Sequence, residues 1–71
     1  MMNIDYNGHK LLPSSYQNDD MPGHWFPCAV VVMPTGDSTP VVLPPIQGID
    51  KAQADAAALL EAKRRIDSKT L

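Results

Sequence analysis

The most apolar part of the chain, WFPCAVVVMP at residues 25–34, predicts a β-strand at the centre of a sheet. Side chains alternate between the two faces of a strand. One face then carries Trp25, Ala29, Val31 and Met33, and the other carries Phe26, Cys28, Val30 and Val32. Because both sets are apolar, we place a central strand at residues 25–33 and expect it to be covered on both sides.

Two further strands are predicted beside this central strand. Residues 40–46 contain Val41 and Val42, and the turn-forming stretch TGDST before them favours a hairpin. Residues 9–16 predict an edge strand, because Pro13 has no amide hydrogen to give to a neighbour. Residues 1–8 end in Asn7-Gly8, a pair that favours a tight turn, so this turn either joins Tyr6 and residues 9–12 in a small hairpin or simply leads into the first strand. Because residues 1–5 lack a strand pattern, we favour the second and expect residues 1–8 to be loose.

Residues 50–68 predict an α-helix. Asp50 is a favourable N-cap, and Gln53 follows three residues later as in a capping box. Alanine, the best helix former, is frequent in the segment and no residue breaks it. At about 100° per residue, one face of this helix carries an apolar set. The set contains Ala52, Ala56, Leu59, Ala62 and Ile66.

These elements predict a small α+β domain over residues 1–71, with a β-hairpin or three-stranded meander packed on one C-terminal helix in the order β-β-β-α. One helix can cover only one face of such a sheet. The other face then needs a second cover, which the first 24 residues, a second copy of the chain or a different protein could provide. The predicted interface consists of Trp25, Ala29, Val31 and Met33, or of their opposites if the strand faces the other way.

Length, charge and cysteine content limit the classes of function. A chain of 71 residues forms one domain at most, and its net charge of −2 opposes binding to nucleic acid or an anionic membrane through the overall field. Its one cysteine excludes an internal disulfide. The first residues carry no basic segment followed by an apolar run. We therefore expect a cytoplasmic protein that does not bind membranes.

The candidate chemical groups do not form a recognisable reactive set. His24 and Cys28 lie four residues apart, which in a strand separates them by about 13 Å and prevents them from sharing a zinc ion. Cys28 stands among apolar residues rather than in the electropositive setting of a reactive thiol. We expect no catalytic residue, no metal and no cofactor, and hence no enzyme.

The basic cluster Lys63, Arg64 and Arg65 is a possible contact for an anion. Three consecutive helical residues point in three directions, so they make no continuous basic stripe. Positive charge near a helix C-terminus also stabilises the helix through the macrodipole. Contact with nucleic acid at this end is therefore the weaker alternative.

Two resemblances accompany this pattern. The order β-β-β-α resembles the plant ethylene-response domain and the arm-binding domain of tyrosine recombinases, but the arginine-rich sheet face of those DNA readers has only Lys10 as a counterpart here. The tail GIDKAQADAAALLEAKRRID is similar to the ending of short uncharacterised bacterial and phage-borne proteins, in which an alanine-rich helix follows a β-meander. This second resemblance implies the fold and no activity.

The pattern favours a non-catalytic interaction module that forms a homodimer through a sheet face or binds another protein there. One alternative is a nucleic-acid-associated regulator that uses the basic end of the helix. Another is a phage-type inhibitor that binds a host protein.

Overall fold

A computed structural model describes residues 4–71 and shows two small antiparallel sheets packed against one C-terminal helix. The elements are β1 (Ile4–Tyr6), β2 (His9–Pro13), β3 (Tyr16–Gln17), β4 (His24–Phe26), β5 (Cys28–Val32), β6 (Ser38–Val42), β7 (Ile46–Gln47) and α1 (Lys51–Ser68). One sheet has the strand order β1-β2-β5-β6 and the other β3-β4-β7. The predicted α+β class is confirmed, whereas the strands are more numerous than in β-β-β-α and form two sheets.

The predicted central strand, residues 25–33, is divided at Pro27. β4 pairs with β3 and β7, whereas β5 pairs with β2 and β6, so the two halves belong to different sheets. Pro27 is fully buried and has no amide hydrogen for a ladder. The chain therefore changes partners at this residue.

The N-terminal part corrects two predictions. Residues 9–16 are not an edge strand, because β2 ends at Pro13 and lies between β1 and β5. Residues 4–8, which we expected to be loose, form β1 and a turn in which Asn7 and Gly8 have φ angles of 49° and 79°. The less favoured alternative, a hairpin that pairs Tyr6 with His9, is the one that forms. A three-residue strand is too short to show an alternating pattern, and the rest of the predicted loose segment, residues 1–3, lies outside the described part.

The predicted strand at residues 40–46 is also redistributed. β6 begins two residues earlier, at Ser38, and ends at Val42. Ile46 belongs to β7, which pairs with β4 in the second sheet. Pro44 and Pro45 separate the two strands, because neither can donate to a ladder. Pro40 is tolerated in β6 because this strand lies at a sheet edge.

The helix forms where the sequence predicts it. Its capping box is complete: the Gln53 amide donates to Asp50 Oδ1 at 2.8 Å, and the Asp50 amide donates to Gln53 Oε1 at 3.1 Å. The helix ends at Ser68, and its C-cap residue Lys69 has a φ of 56°, in the left-handed region. Local capping at both ends therefore defines α1.

The buried face of α1 is as predicted in its C-terminal half, where Ala62 and Ile66 are buried and Leu59 packs against the core, and differs in its N-terminal half. Ala52 and Ala56 are exposed, whereas the buried positions repeat every four residues. They are Ala54, Ala58, Ala62 and Ile66. This stripe of small side chains lets α1 lie close to the four-stranded sheet, over the fully buried Leu11, Val31 and Val41. The sequence could not distinguish the buried face in the N-terminal half of the helix, because alanines on several sides make more than one face equally apolar.

Two polar contacts join the β-rich part of the chain to the helix, one from β1 and one from the segment between β2 and β3. The Tyr6 hydroxyl donates to the Asp67 carboxylate, at 2.7 Å from Oδ2 and 2.9 Å from Oδ1. This contact raises the pKa of Tyr6, because loss of the phenolic proton would remove the hydrogen bond. The Ser15 amide donates to Asp55 Oδ1 at 3.1 Å, and the buried Ser15 hydroxyl accepts from the Cys28 amide at 3.1 Å.

Candidate functional site

The four-stranded sheet has an apolar outer face that no described element covers. Its register places Val30 between Leu12 and Pro40, and Cys28 opposite Val42. We call this surface the open sheet face. It consists of Leu12, Cys28, Val30, Val32, Pro40 and Val42.

The direction of this face follows from the packing of α1. Val31 and Val41 are fully buried in the core beneath the helix. Because side chains alternate along a strand, their neighbours Val30 and Val42 point to the opposite side. Val42 is 48% exposed, and the central members of the face are half-buried. The sheet is therefore apolar on both sides and has a helix on only one.

Polar residues border the open sheet face at one end. Asp5 pairs with Lys10 across β1 and β2, Lys10 pairs with Val32, and Val32 pairs with Ser38. These pairs form one row across the sheet. The rest of the face, which extends from Val30 to Cys28 along β5, carries no charged side chain among residues 4–71.

The predicted interface residues do not share one exposed surface. Ala29 and Val31 are fully buried beneath α1, so their assignment to an interface is corrected. Met33 is half-buried near the end of α1, and Trp25 is half-buried in the second sheet, paired with Gln17. Of the two predicted faces of β5, the one that carries Cys28, Val30 and Val32 points outward. Sequence alternation defines the two sets, but the helix determines which set is exposed.

The second sheet presents a pair of aromatic rings that the sequence did not predict. Tyr16 and Phe26 are cross-strand partners whose rings stack with centroids 5.1 Å apart and planes 3° from parallel. Tyr16 is 46% exposed. β3 has only two residues, which is too short for an alternating pattern, so the sequence did not indicate this pairing.

The basic cluster on α1 is split between two partners. Lys63 Nζ lies 5.6 Å from the centre of the Tyr6 ring. Arg64 and Arg65 both bind Glu61, with Arg64 Nη2 2.6 Å and Arg65 Nε 2.7 Å from the same oxygen. These hydrogen bonds, the one from Arg64 first, lower the pKa of Glu61 to about 2. Lys63 is therefore separated from the two arginines in its contacts, and Glu61 balances part of the charge of the arginine pair.

The candidate metal and nucleophile residues remain apart. His24 lies in β4 and contacts the Pro22 carbonyl at 3.2 Å through Nδ1, whereas Cys28 begins β5 in the other sheet. Within residues 4–71, no group of three or more His, Cys, Asp and Glu side chains is placed to hold a metal ion. None of the helical structure in that part is long and apolar enough to span a membrane.

Comparison with known proteins leaves the chain without an assigned relative. No protein-family model matches the sequence, and neither a curated protein nor a solved structure matches it significantly. The resemblance of the C-terminal helix to short bacterial and phage-borne proteins therefore stays a prediction. The geometry of the described residues carries the functional argument.

Proposed function

We propose that this protein is a small non-catalytic interaction module that self-associates through the open sheet face. One observation supports the proposal above the others: the same sheet carries its core on one side and an uncovered apolar surface on the other. Val30 lies at the centre of that surface, between Leu12 and Pro40.

The open sheet face is large enough that its burial against another surface would be favourable. Three strands about 4.8 Å apart and five residues at about 3.3 Å each give a surface of about 14 by 16 Å. Burying a large apolar side chain contributes about 1.5 to 3 kcal/mol, and a domain this small has little stability in reserve. Contact with a second apolar surface would gain part of this energy.

The arrangement of residues favours a second copy as that surface. A two-fold axis parallel to β5 would place Val30 against the partner copy's equivalent valine and Leu12 against its equivalent of Pro40. The uncharged centre creates no like-charge repulsion between copies. Two sheets packed face to face lie about 10 Å apart with strands within about 30° of each other, and the apolar outer face of an antiparallel sheet can meet both requirements.

The dimer is expected to be weak. The footprint of about 14 by 16 Å is well below the roughly 800 Å² that each partner contributes to a standard interface. Association also costs translational and rotational freedom, which a small interface offsets only in part. We expect a dissociation constant between about 10 µM and 1 mM.

Sedimentation equilibrium from about 5 µM to 1 mM tests the proposal, because this range brackets the expected dissociation constant. We expect the average mass to rise from monomer toward dimer. Val30→Asp, which places a charge at the centre of the face, should remain a monomer throughout. Leu60→Asp is the matched control: Leu60 is 72% exposed on α1, so this variant should dimerise normally. A wild-type monomer at every concentration would contradict self-association.

Cys28 provides a second measurement because it lies on the open sheet face. Its reaction with a maleimide should slow as protein concentration rises into the dimer range, and should not slow in Val30→Asp. A disulfide between copies is not expected, because sheets about 10 Å apart exceed the Cα separation of about 4.4 to 6.8 Å that a disulfide needs. A reaction rate independent of concentration in the wild type would argue against this interface.

We also propose that the protein acts in the cytoplasm. Cys28 is partly exposed and is the only cysteine in the sequence. A reducing compartment keeps such a thiol from pairing with thiols of other proteins. Fractionation of cells that express a tagged chain would test this location.

A further inference from the structure

A cavity of about 480 Å³ lies beside the last turn of α1, next to the β1–β2 turn. It is separate from the open sheet face, because it is lined by Arg65 and Ile66 of α1 and by His9, which lies on the helix side of the sheet with Tyr6. Sites for small molecules span about 300 to 1,000 Å³, so the cavity is large enough for a small organic ligand.

The floor of the cavity is apolar. Met33, Ile66 and Leu71 line it, and Ile66 also belongs to the hydrophobic core. Methionine adapts its shape to irregular apolar groups. The floor therefore suits a short hydrocarbon chain.

Two cationic residues, Arg65 and Lys69, line the cavity. The Arg65 guanidinium is oriented by its Nε, which donates to Glu61 at 2.7 Å. Among residues 4–71, no acceptor pairs with the Arg65 terminal amino groups. The amide of Lys69, the other cationic residue, donates to the Ile66 carbonyl at 3.2 Å, which fixes its backbone beside the cavity. Arginine with free terminal amino groups binds carboxylates through two parallel hydrogen bonds.

Two local features oppose an anion here, and hydrogen bonds already occupy acceptor sites of both. Asp67 lines the cavity, but both of its oxygens accept from the Tyr6 hydroxyl. The last carbonyls of the helix carry partial negative charge. Those of Arg65 and Ile66 accept from the Thr70 and Lys69 amides. Glu61 adds a second carboxylate, which Arg65 shares with Arg64. The three cations Arg64, Arg65 and Lys69 against the two carboxylates Glu61 and Asp67 leave this end of α1 with a net positive charge.

We propose that this cavity binds a small carboxylate with a short apolar tail. The carboxylate pairs with Arg65, supported by Lys69, and the tail contacts Met33 and Ile66. This assignment moves the predicted anion contact from Lys63, Arg64 and Arg65 together to Arg65 alone with Lys69. It does not depend on self-association, because the cavity and the open sheet face are on opposite sides of the sheet.

Titration with hexanoate, followed by amide shifts in two-dimensional NMR, tests the proposal. We expect saturable shifts at Met33, Ile66 and Lys69 with a dissociation constant on the order of 1 mM, as suits a ligand of about eight non-hydrogen atoms. Acetate, which lacks most of the tail, should bind at least about tenfold more weakly. Hexylamine should cause no saturable shift at these residues. Equal binding of hexanoate and hexylamine, or the absence of saturable shifts with hexanoate, would overturn the proposal.

Arg65→Gln and Arg64→Gln form a matched pair of variants. Each removes one positive charge and one partner of Glu61, but only Arg65 lines the cavity. We expect Arg65→Gln to weaken hexanoate binding about tenfold, as loss of a charged hydrogen-bonding partner does, and Arg64→Gln to leave it within about twofold. The dispersion of the amide spectrum verifies that both variants are folded. Equal weakening by the two variants would show a general charge effect and contradict the site.

Discussion

Val30 and Val31 are adjacent in β5 and lie on opposite faces of the four-stranded sheet. Val31 is fully buried beneath α1, whereas Val30 is half-buried on the open sheet face. The strand therefore separates two roles in consecutive residues. One valine belongs to the core, and the other belongs to the surface through which we propose self-association.

The same charge introduced at these two positions should have different effects on stability. Val31→Asp buries an unpaired carboxylate and should destabilise the fold by more than about 3 kcal/mol, enough to unfold most of a small domain. Val30→Asp leaves its carboxylate in water and should cost about 1 kcal/mol or less. Urea unfolding followed by circular dichroism at low micromolar concentration measures both. Comparable losses would show that the helix does not cover the Val31 face.

The narrow face of α1 should be intolerant of larger side chains. Ala58 is fully buried against the sheet, whereas Ala56, two residues earlier, is exposed. Ala58→Leu should destabilise the fold by about 1 to 3 kcal/mol because its side chain overpacks the interface. Ala56→Leu should change stability by no more than about 0.5 kcal/mol. Thermal unfolding of the pair gives the comparison, and the reverse order would support the face first predicted from the sequence.

Ser15 should matter more for stability than its neighbour Ser14. Its buried hydroxyl accepts from the Cys28 amide at 3.1 Å, whereas Ser14 is exposed and its amide donates to the Cys28 carbonyl at 2.9 Å. Ser15→Ala leaves the Cys28 amide without that acceptor and should cost about 1 to 3 kcal/mol. Ser14→Ala keeps its backbone bond and should be close to neutral. Denaturant midpoints distinguish them, and equal midpoints would contradict the bridging role.

Acid should weaken the C-terminal half of α1 through Glu61. Its hydrogen bonds to Arg64 and Arg65 lower its pKa from the ordinary 4.5 to about 2. A folded-state pKa below the unfolded value contributes stability that is present above pH 4.5 and is lost as pH falls toward 2. Helicity measured by circular dichroism across this range should decline. Glu61→Gln should remove this part of the decline, and an identical pH profile would show that the Glu61 pairs do not stabilise the helix.

Much of the helix could be predicted because its determinants are local. The Asp50 and Gln53 side chains satisfy amides within the same turn, and alanine favours the helical backbone without help from distant residues. The α+β class follows in the same way from a β-rich first part and a helical last part. Alternation along β5 also predicted which of its residues share a face.

Only the tertiary structure decided how these elements combine. It divides the central apolar stretch at Pro27, orients Val31 inward and Val30 outward, and selects Ala58 over Ala56 for the buried stripe. It also joins Tyr6 to Asp67, 61 residues away in the chain. The physical reason is that a strand apolar on both faces and a helix with alanine on several sides have near-equal local energies in each orientation. Long-range packing and strand pairing choose between them, and neither is encoded in any single segment.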